Sequence, residues 1–147
     1  MVILVNKWDL IEKDTHTADA YRKELLQKIA PLDYLPVLFI SNVKKQRIYQ
    51  AIEKTLQVYE HRRQRISTAA LNKVMLSAIE RYGPPAIKGK HIKIKYVTQL
   101  PTYTPVIAFF CNLPQYIKPP YKRYLENQLR KHFDLEGVPI KLVFRKK

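Results

Sequence analysis

A single cysteine, three glycines and no apolar run of membrane-spanning length set the first limits on this 147-residue chain. One thiol, Cys111, closes no internal disulfide and has no Cys/His set at ligand spacing beside it, which excludes a zinc site. It lies in the apolar run Val106-Ile-Ala-Phe-Phe-Cys111, so a buried structural thiol is expected, not a nucleophile. A membrane helix needs about 18–20 consecutive apolar residues, and none occurs. The N-terminal stretch Met1-Val-Ile-Leu-Val-Asn-Lys7 has no basic leader before its short apolar run, so the reading is soluble and not secreted. His16, His61, His91 and His132 are scattered without metal-ligand spacing, and no carboxylate pair stands out among the lysines.

Acidic residues are scarce in one half only. Lys plus Arg number 27 against 12 Asp plus Glu, a net charge of +15. Residues 1–60 hold nine basic and eight acidic side chains, whereas residues 61–147 hold eighteen and four, a split of +1 and +14. A polyanion binder is therefore sought in the second half.

Val2-Ile-Leu-Val5 reads as a strand buried on both faces of a parallel sheet. A helix is predicted from about Thr17 to Ile29, with Ala18, Tyr21, Leu25 and Ile29 at helical spacing and Pro31 as the stop. Pro36–Ser41 reads as a second strand, and from Gln46 a long helix places Ile48, Ile52, Thr55, Leu56 and Tyr59 on one face. The order β-α-β-α implies a parallel sheet. Beyond a charge shift at 62–66, Ser67 or Thr68 caps a helix with the stripe Leu71, Val74, Met75, Ala78, Ile79 and Tyr82. An alternating strand follows, with Ile92, Ile94 and Tyr96 on one face and Lys93 and Lys95 on the other, then a strand over Val106–Asn112. Pro119-Pro120 open a helix that turns Tyr121, Tyr124, Leu125, Leu129 and Phe133 inward, and a last strand alternates Ile140, Leu142 and Phe144 with Lys141, Val143 and Arg145. The fold class is thus α/β followed by α+β, divided as 1–62 and 66–147.

The sharpest chemical signal is Asn6-Lys7-Trp8-Asp9 directly after a buried strand, the N-K-x-D pattern that reads guanine. A carboxylate at Asp9 accepts two hydrogen bonds from guanine N1 and N2, a donor pair that adenine lacks. Rejecting the wrong base then follows from a buried charge left unpaired. Lys7 would lie over the base and Asn6 would tie the loop to nearby backbone. After the next strand, where such sites use a Ser-Ala backbone donor for the guanine carbonyl oxygen, this chain has Ser41-Asn42, which reads equally well as a polar strand end. No phosphate loop of the G-x-x-x-x-G-K-[ST] type exists. The nearest stretch, Gly83 to His91, has five spacers, two prolines without N–H and His for the hydroxyl, and reads as a turn. Asp134-Leu-Glu-Gly137 matches D-x-x-G by letter but lies downstream of the guanine motif, so it too reads as a turn.

In the basic half, Lys88, Lys90, Lys93 and Lys95 surround one strand, and Lys118, Lys122, Arg123, Arg130 and Lys131 lie on the last helix. Cations on fixed faces suit RNA phosphates, with Tyr103 and Tyr116 in loops as stacking partners. Two other readings stand beside this one: a merely solvated basic face, and a surface that docks on acidic protein. The glycines at 83, 89 and 137 form no G-x-x-G loop, so a KH domain of the usual kind is not expected.

Asn6-Lys-Trp-Asp-Leu10, Arg65-Ile-Ser-Thr68 with Leu71-Asn72, and Gly89-Lys90 before the alternating strand resemble the Der (EngA) GTPases. Tyr121-Lys-Arg-Tyr-Leu-Glu-Asn-Gln-Leu-Arg130 and Gly137-Val-Pro-Ile-Lys-Leu-Val-Phe-Arg145 are similar to that family's C-terminal signature almost residue for residue. Ser41-Asn42 and Lys44-Lys45 depart from its Ser-Ala and Thr-Gly. The resemblance implies the end of a second G domain over 1–62 and a KH-like domain over 66–147, in a cytoplasmic protein that assembles the large ribosomal subunit. It further implies GTP or GDP as ligand, magnesium in the intact protein, and ribosomal RNA and the protein's own G domains as partners. On that reading a first G domain and a P-loop precede Met1, and this stretch alone hydrolyses nothing. The alternative is a KH-like module that docks on G domains without touching RNA.

Overall fold

The structure, a computed structural model, describes residues 1–12 and 16–147. Its residues group into two compact units, Met1–His61 with Glu136–Val138, and Arg62–Leu135 with Pro139–Lys147.

In the first unit, the β-branched run forms β1 (Ile3–Val5), and β2 (Val37–Phe39) pairs with it in parallel, Ile3 opposite Val37 and Val5 opposite Phe39. The helix α1 (Thr17–Lys28) ends one residue before the predicted Ile29, whose N–H still reaches Leu25 O. Its Ala18, Leu25 and Leu26 pack on a small core of Trp8, Val37 and Phe39. Within the same unit Gly137, at φ 73°, donates its N–H to Tyr34 O, and Val58 Cγ2 stands 2.6 Å from where a Cβ would project.

The helix α2 (Ile48–Arg63) departs from expectation. Ala51 and Val58 are buried, while Ile52, Leu56 and Tyr59, placed on the apolar stripe by spacing, are 54%, 60% and 50% exposed. A two-stranded sheet offers too little surface to cover that stripe. Ile48, Ile52 and Leu56 instead line an open groove of about 410 Å³ with Leu4, Ile40, Asn6 and Asn42.

The second unit runs α-β-β-α-β. Its elements are α3 (Thr68–Arg81), β3 (Ile94–Leu100), β4 (Val106–Cys111), α4 (Pro119–His132) and β5 (Lys141–Lys146). Ser67 caps α3 by accepting the Ala70 N–H at 3.2 Å, and the two prolines at the start of α4 lack N–H groups a first turn would leave unpaired anyway. β4 lies central, antiparallel to β3 and parallel to β5. One sheet face closes a core of Val97, Ile107, Phe109 and Cys111 with Leu71 and Met75 of α3 and Tyr121, Leu125 and Leu129 of α4. Cys111 is fully buried there, and burial pushes its thiol above the ordinary range, so it stays protonated and inert. The stretch read as a turn between α3 and β3 is a tight hairpin: Ile87 and Lys90 exchange backbone bonds across Lys88 and Gly89, both at positive φ.

The predicted face of β3 requires correction. Ile94 pairs with Cys111, but Tyr96 pairs with Phe110, so Lys95 is an extra residue, a β-bulge. Strict alternation placed Tyr96 with Ile94; the bulge turns it to the opposite, helix-free face.

β3 is an edge strand, and Asn72 of α3 closes that edge. Its Oδ1 accepts the Val97 N–H at 2.9 Å, and its Nδ2 donates to Val97 O at 2.8 Å and Thr68 O at 2.7 Å. A side-chain amide thus takes the place of a neighbouring strand. Asn72→Ala strips these partners at once, and a buried unpaired backbone group costs about 1–3 kcal/mol. We expect a loss of at least that size in urea unfolding followed by circular dichroism; an unchanged midpoint would show that water replaces the amide.

Candidate functional site

The loops after β1 and β2 converge on one carboxylate. Asn6 Oδ1 accepts the Lys7 N–H at 2.8 Å and the Asn42 N–H at 3.2 Å, tying the two loops together as its place in the motif requires. Ser41 is wholly buried, and its hydroxyl donates to Asp9 Oδ1 at 2.5 Å while accepting the Lys44 N–H at 3.2 Å. Asp9 is half-buried with one oxygen held, an arrangement that aims the carboxylate before any ligand arrives. Lys7 is exposed and sits at φ 59° and ψ 30°, a left-handed conformation that side chains rarely adopt.

Two expectations change here. Trp8 is no ligand-facing residue: it is buried, its ring 4.2 Å from Phe39 and edge-on to Tyr21 at 5.5 Å, and its backbone N–H donates to Ile40 O at 3.0 Å. The indole anchors the loop from below while its neighbours point out. Asn42 does not offer a free backbone donor, because its N–H is taken by Asn6. Sequence reasoning missed the Ser41–Asp9 bond: a serine at a strand end carries no signal of which side chain it will meet 32 residues away.

In the second unit Lys88, Lys90, Lys93, Lys95, Lys118, Arg123 and Lys131 are exposed. Lys122 is exposed too and lies over the Phe144 ring, 5.4 Å from its centroid. Arg130 departs from the expected set. Its Nε and Nη2 both bond Glu126 Oε1, at 3.1 and 2.9 Å, and its Nη1 bonds Leu135 O at 3.0 Å, so it braces the end of α4. Tyr103 is 91% exposed and carries the Arg62 guanidinium 5.9 Å from its ring centroid. Tyr121 and Tyr124 are occupied structurally, their hydroxyls donating to Tyr82 O and Ala78 O at 3.0 and 2.9 Å. Burial pushes the Tyr121 phenol far above its ordinary range. Asp134–Gly137 forms a loop and turn far from Asp9 in sequence. No helix among the described residues is long and apolar enough to cross a membrane.

A β-α-β-α segment whose strand-end loops grip one carboxylate, followed by an α-β-β-α-β unit, defines the class: part of a GTPase domain joined to a KH-like domain. Comparison with known proteins agrees. Residues 65–145 match the family model described as the KH-domain-like, C-terminal domain of EngA bacterial GTPase enzymes. Over all 147 residues the chain is 66% identical to GTPase Der of Amoebophilus asiaticus, 54% to that of Flavobacterium johnsoniae and 53% to that of Cytophaga hutchinsonii. The chain spans about a third of the length of these relatives, 34% in each case. It belongs to the Der (EngA) GTPase family.

The loop geometry separates anchoring from recognition. Trp8→Ala should lower stability by about 3–5 kcal/mol, the usual loss for emptying a large aromatic site. Lys7→Gly removes a left-handed strain of about 1–2 kcal/mol against a glycine entropy loss of up to about 1. Its melting temperature should therefore hold or rise; a fall of several degrees in calorimetry would mean that the Lys7 side chain holds the loop together.

Proposed function

We propose that this chain supplies two recognition elements of a GTPase acting in assembly of the large ribosomal subunit: a guanine-reading corner over residues 1–62 and an RNA-binding KH-like domain over 66–147. The observation that carries the first is the Asp9 carboxylate, half-buried and held by Ser41 on a loop pair laced together by Asn6. A carboxylate held in this way suits the N1 and N2 donors of guanine, and the exposed Lys7 stem would cover the base. GTP or GDP is thus the ligand that fits. Bound nucleotide would bring phosphates and, in the intact protein, magnesium; this chain's own residues hold the base and supply no phosphate loop. Hydrolysis accordingly needs groups outside residues 1–147.

The RNA reading rests on charge: +14 in 87 residues exceeds what solubility requires. Lys88, Lys90, Lys93, Lys95, Lys118, Lys122, Arg123 and Lys131 are the cations available to phosphates. The relatives' name, GTPase Der, supports the nucleotide part of this reading and is silent on RNA.

Two measurements test the two halves. In the intact protein, Asp9→Ala removes two charge-assisted hydrogen bonds worth about 1.5–3 kcal/mol each, so preference for GDP over ADP should fall at least a hundredfold by titration calorimetry. Preserved preference would remove Asp9 from the site. For the RNA half, binding of this chain to large-subunit ribosomal RNA should show log K falling linearly with log salt, with a slope of about −0.7 to −0.9 per phosphate contact. Absence of binding at low salt would move the reading to a module that docks on G domains.

A further inference from the structure

The bulge at Lys95 creates a surface that a regular strand would not have. Cross-strand pairing puts Tyr96, Phe110 and Arg145 in one row across β3, β4 and β5, all on the face opposite the helices. The Tyr96 and Phe110 rings lie 5.7 Å apart, and Tyr96 is 39% exposed. Arg145 is exposed and Phe110 half-buried. The next row on this face is Thr98, Ala108 and Val143, and the one after it Leu100, Val106 and Lys141. The middle row is low beside the ring pair: Ala108 is wholly buried and Thr98 and Val143 are half-buried, so the rings stand above it. None of Tyr96, Thr98, Ala108, Phe110 and Val143 belongs to the core that α3 and α4 close. Thr98, at the sheet edge, meets the Thr68 hydroxyl of α3 at 3.0 Å.

An aromatic pair on adjacent strands of an open face, flanked by fixed cations, is the arrangement on which unpaired bases stack. The opposite face already holds the apolar core, so nothing in the packing of the second unit requires Tyr96 to be turned away from it. Bulges that re-aim a side chain recur beside functional sites. We propose that this helix-free sheet face is a stacking platform for single-stranded RNA, with Tyr96 and Phe110 receiving bases and Arg145 and Lys141 meeting the phosphates. The proposal rests on the RNA reading above and adds to it the strandedness of the ligand and the surface that reads it. That surface is separate from the cations of α4, which suit backbone phosphates of any RNA.

The test uses the whole chain, with a fluorescein-labelled oligoadenylate as single strand and a fully paired RNA duplex of equal length as comparison, by fluorescence anisotropy across a salt series. The chain should favour the single strand. Tyr96→Leu and Phe110→Leu, which keep apolar bulk, should each weaken single-strand binding about tenfold, the usual weight of one stacked base, while leaving the salt slope and duplex binding unchanged. Tyr96→Phe should bind as the parent does. Arg145→Glu, at an exposed position that folding does not depend on, should weaken single-strand binding and lower the salt slope by about one contact. If folded Leu variants bind the oligoadenylate as the parent does, or if duplex binds as tightly as single strand, the platform is refuted and the RNA reading stands. If the chain binds neither RNA at low salt, both fail together.

Discussion

Backbone N–H and C=O groups that short sheets leave without strand partners are taken up in this chain by carboxamide side chains, and both units depend on that substitution. Asn6 ties the loop after β1 to the loop after β2. Asn72 closes the outer edge of β3. Gln99 accepts the Ile66 N–H at 2.9 Å and donates to Gln64 O at 3.3 Å, holding the entry to α3, while Asn112 accepts the Lys93 N–H at 2.9 Å and donates to His91 O at 3.0 Å just before the bulge. An amide carries a donor and an acceptor as a peptide group does, so Asn72, Gln99 and Asn112 imitate a missing backbone neighbour, while Asn6 uses its oxygen alone to accept two N–H groups.

Much of this fold was legible because hydrophobic period and turn chemistry agree with each other. The stripe Leu71, Met75 and Ala78 is buried as spacing predicts, and Leu142 and Phe144 pack on the core while Lys141 and Arg145 stay out. Three failures share a cause: each depended on something beyond the local pattern. The face of Tyr96 turned on an inserted residue, and period-two reasoning has no means of seeing an insertion in a run that still alternates by letter. The exposure of Ile52 and Leu56 turned on how much sheet lies opposite α2. Arg130 was counted as a surface cation because charge marks a residue as basic without showing that Glu126 and Leu135 O consume its donors.

The nucleotide corner shows the same split between type and geometry. N-K-x-D names a kind of chemistry, and in the structure Asn6 and Asp9 are held by hydrogen bonds to the Lys7 N–H and the Ser41 hydroxyl. What the motif does not announce is its foundation. The x position is a buried tryptophan whose stacking on Phe39 fixes the loop from the core side, so that Lys7 can be held in a left-handed conformation without the loop relaxing. Strain of that kind persists only where surrounding contacts over-determine it. The wholly buried Ser41 completes the foundation, since its hydroxyl fixes the rotation of the Asp9 carboxylate.

Charge and aromatic surface do different physical work in the second unit, and their separation on the domain is informative. Lysines on α4 and the hairpin supply a long-range field that any polyanion feels and that salt screens over about 8–10 Å. Rings on the sheet face would, on the stacking proposal, act only in contact, respond little to salt and discriminate an unpaired base from a stacked one. A domain with only the first would hold RNA without choosing its conformation; one with only the second would choose but meet its target slowly. Lys122 rests on Phe144, a ring on the core side of the sheet, and so belongs with the cations of α4: it is exposed while its attraction to the ring keeps it on the domain. The bulge at Lys95 is what makes the division possible, since without it Tyr96 would be spent in the core.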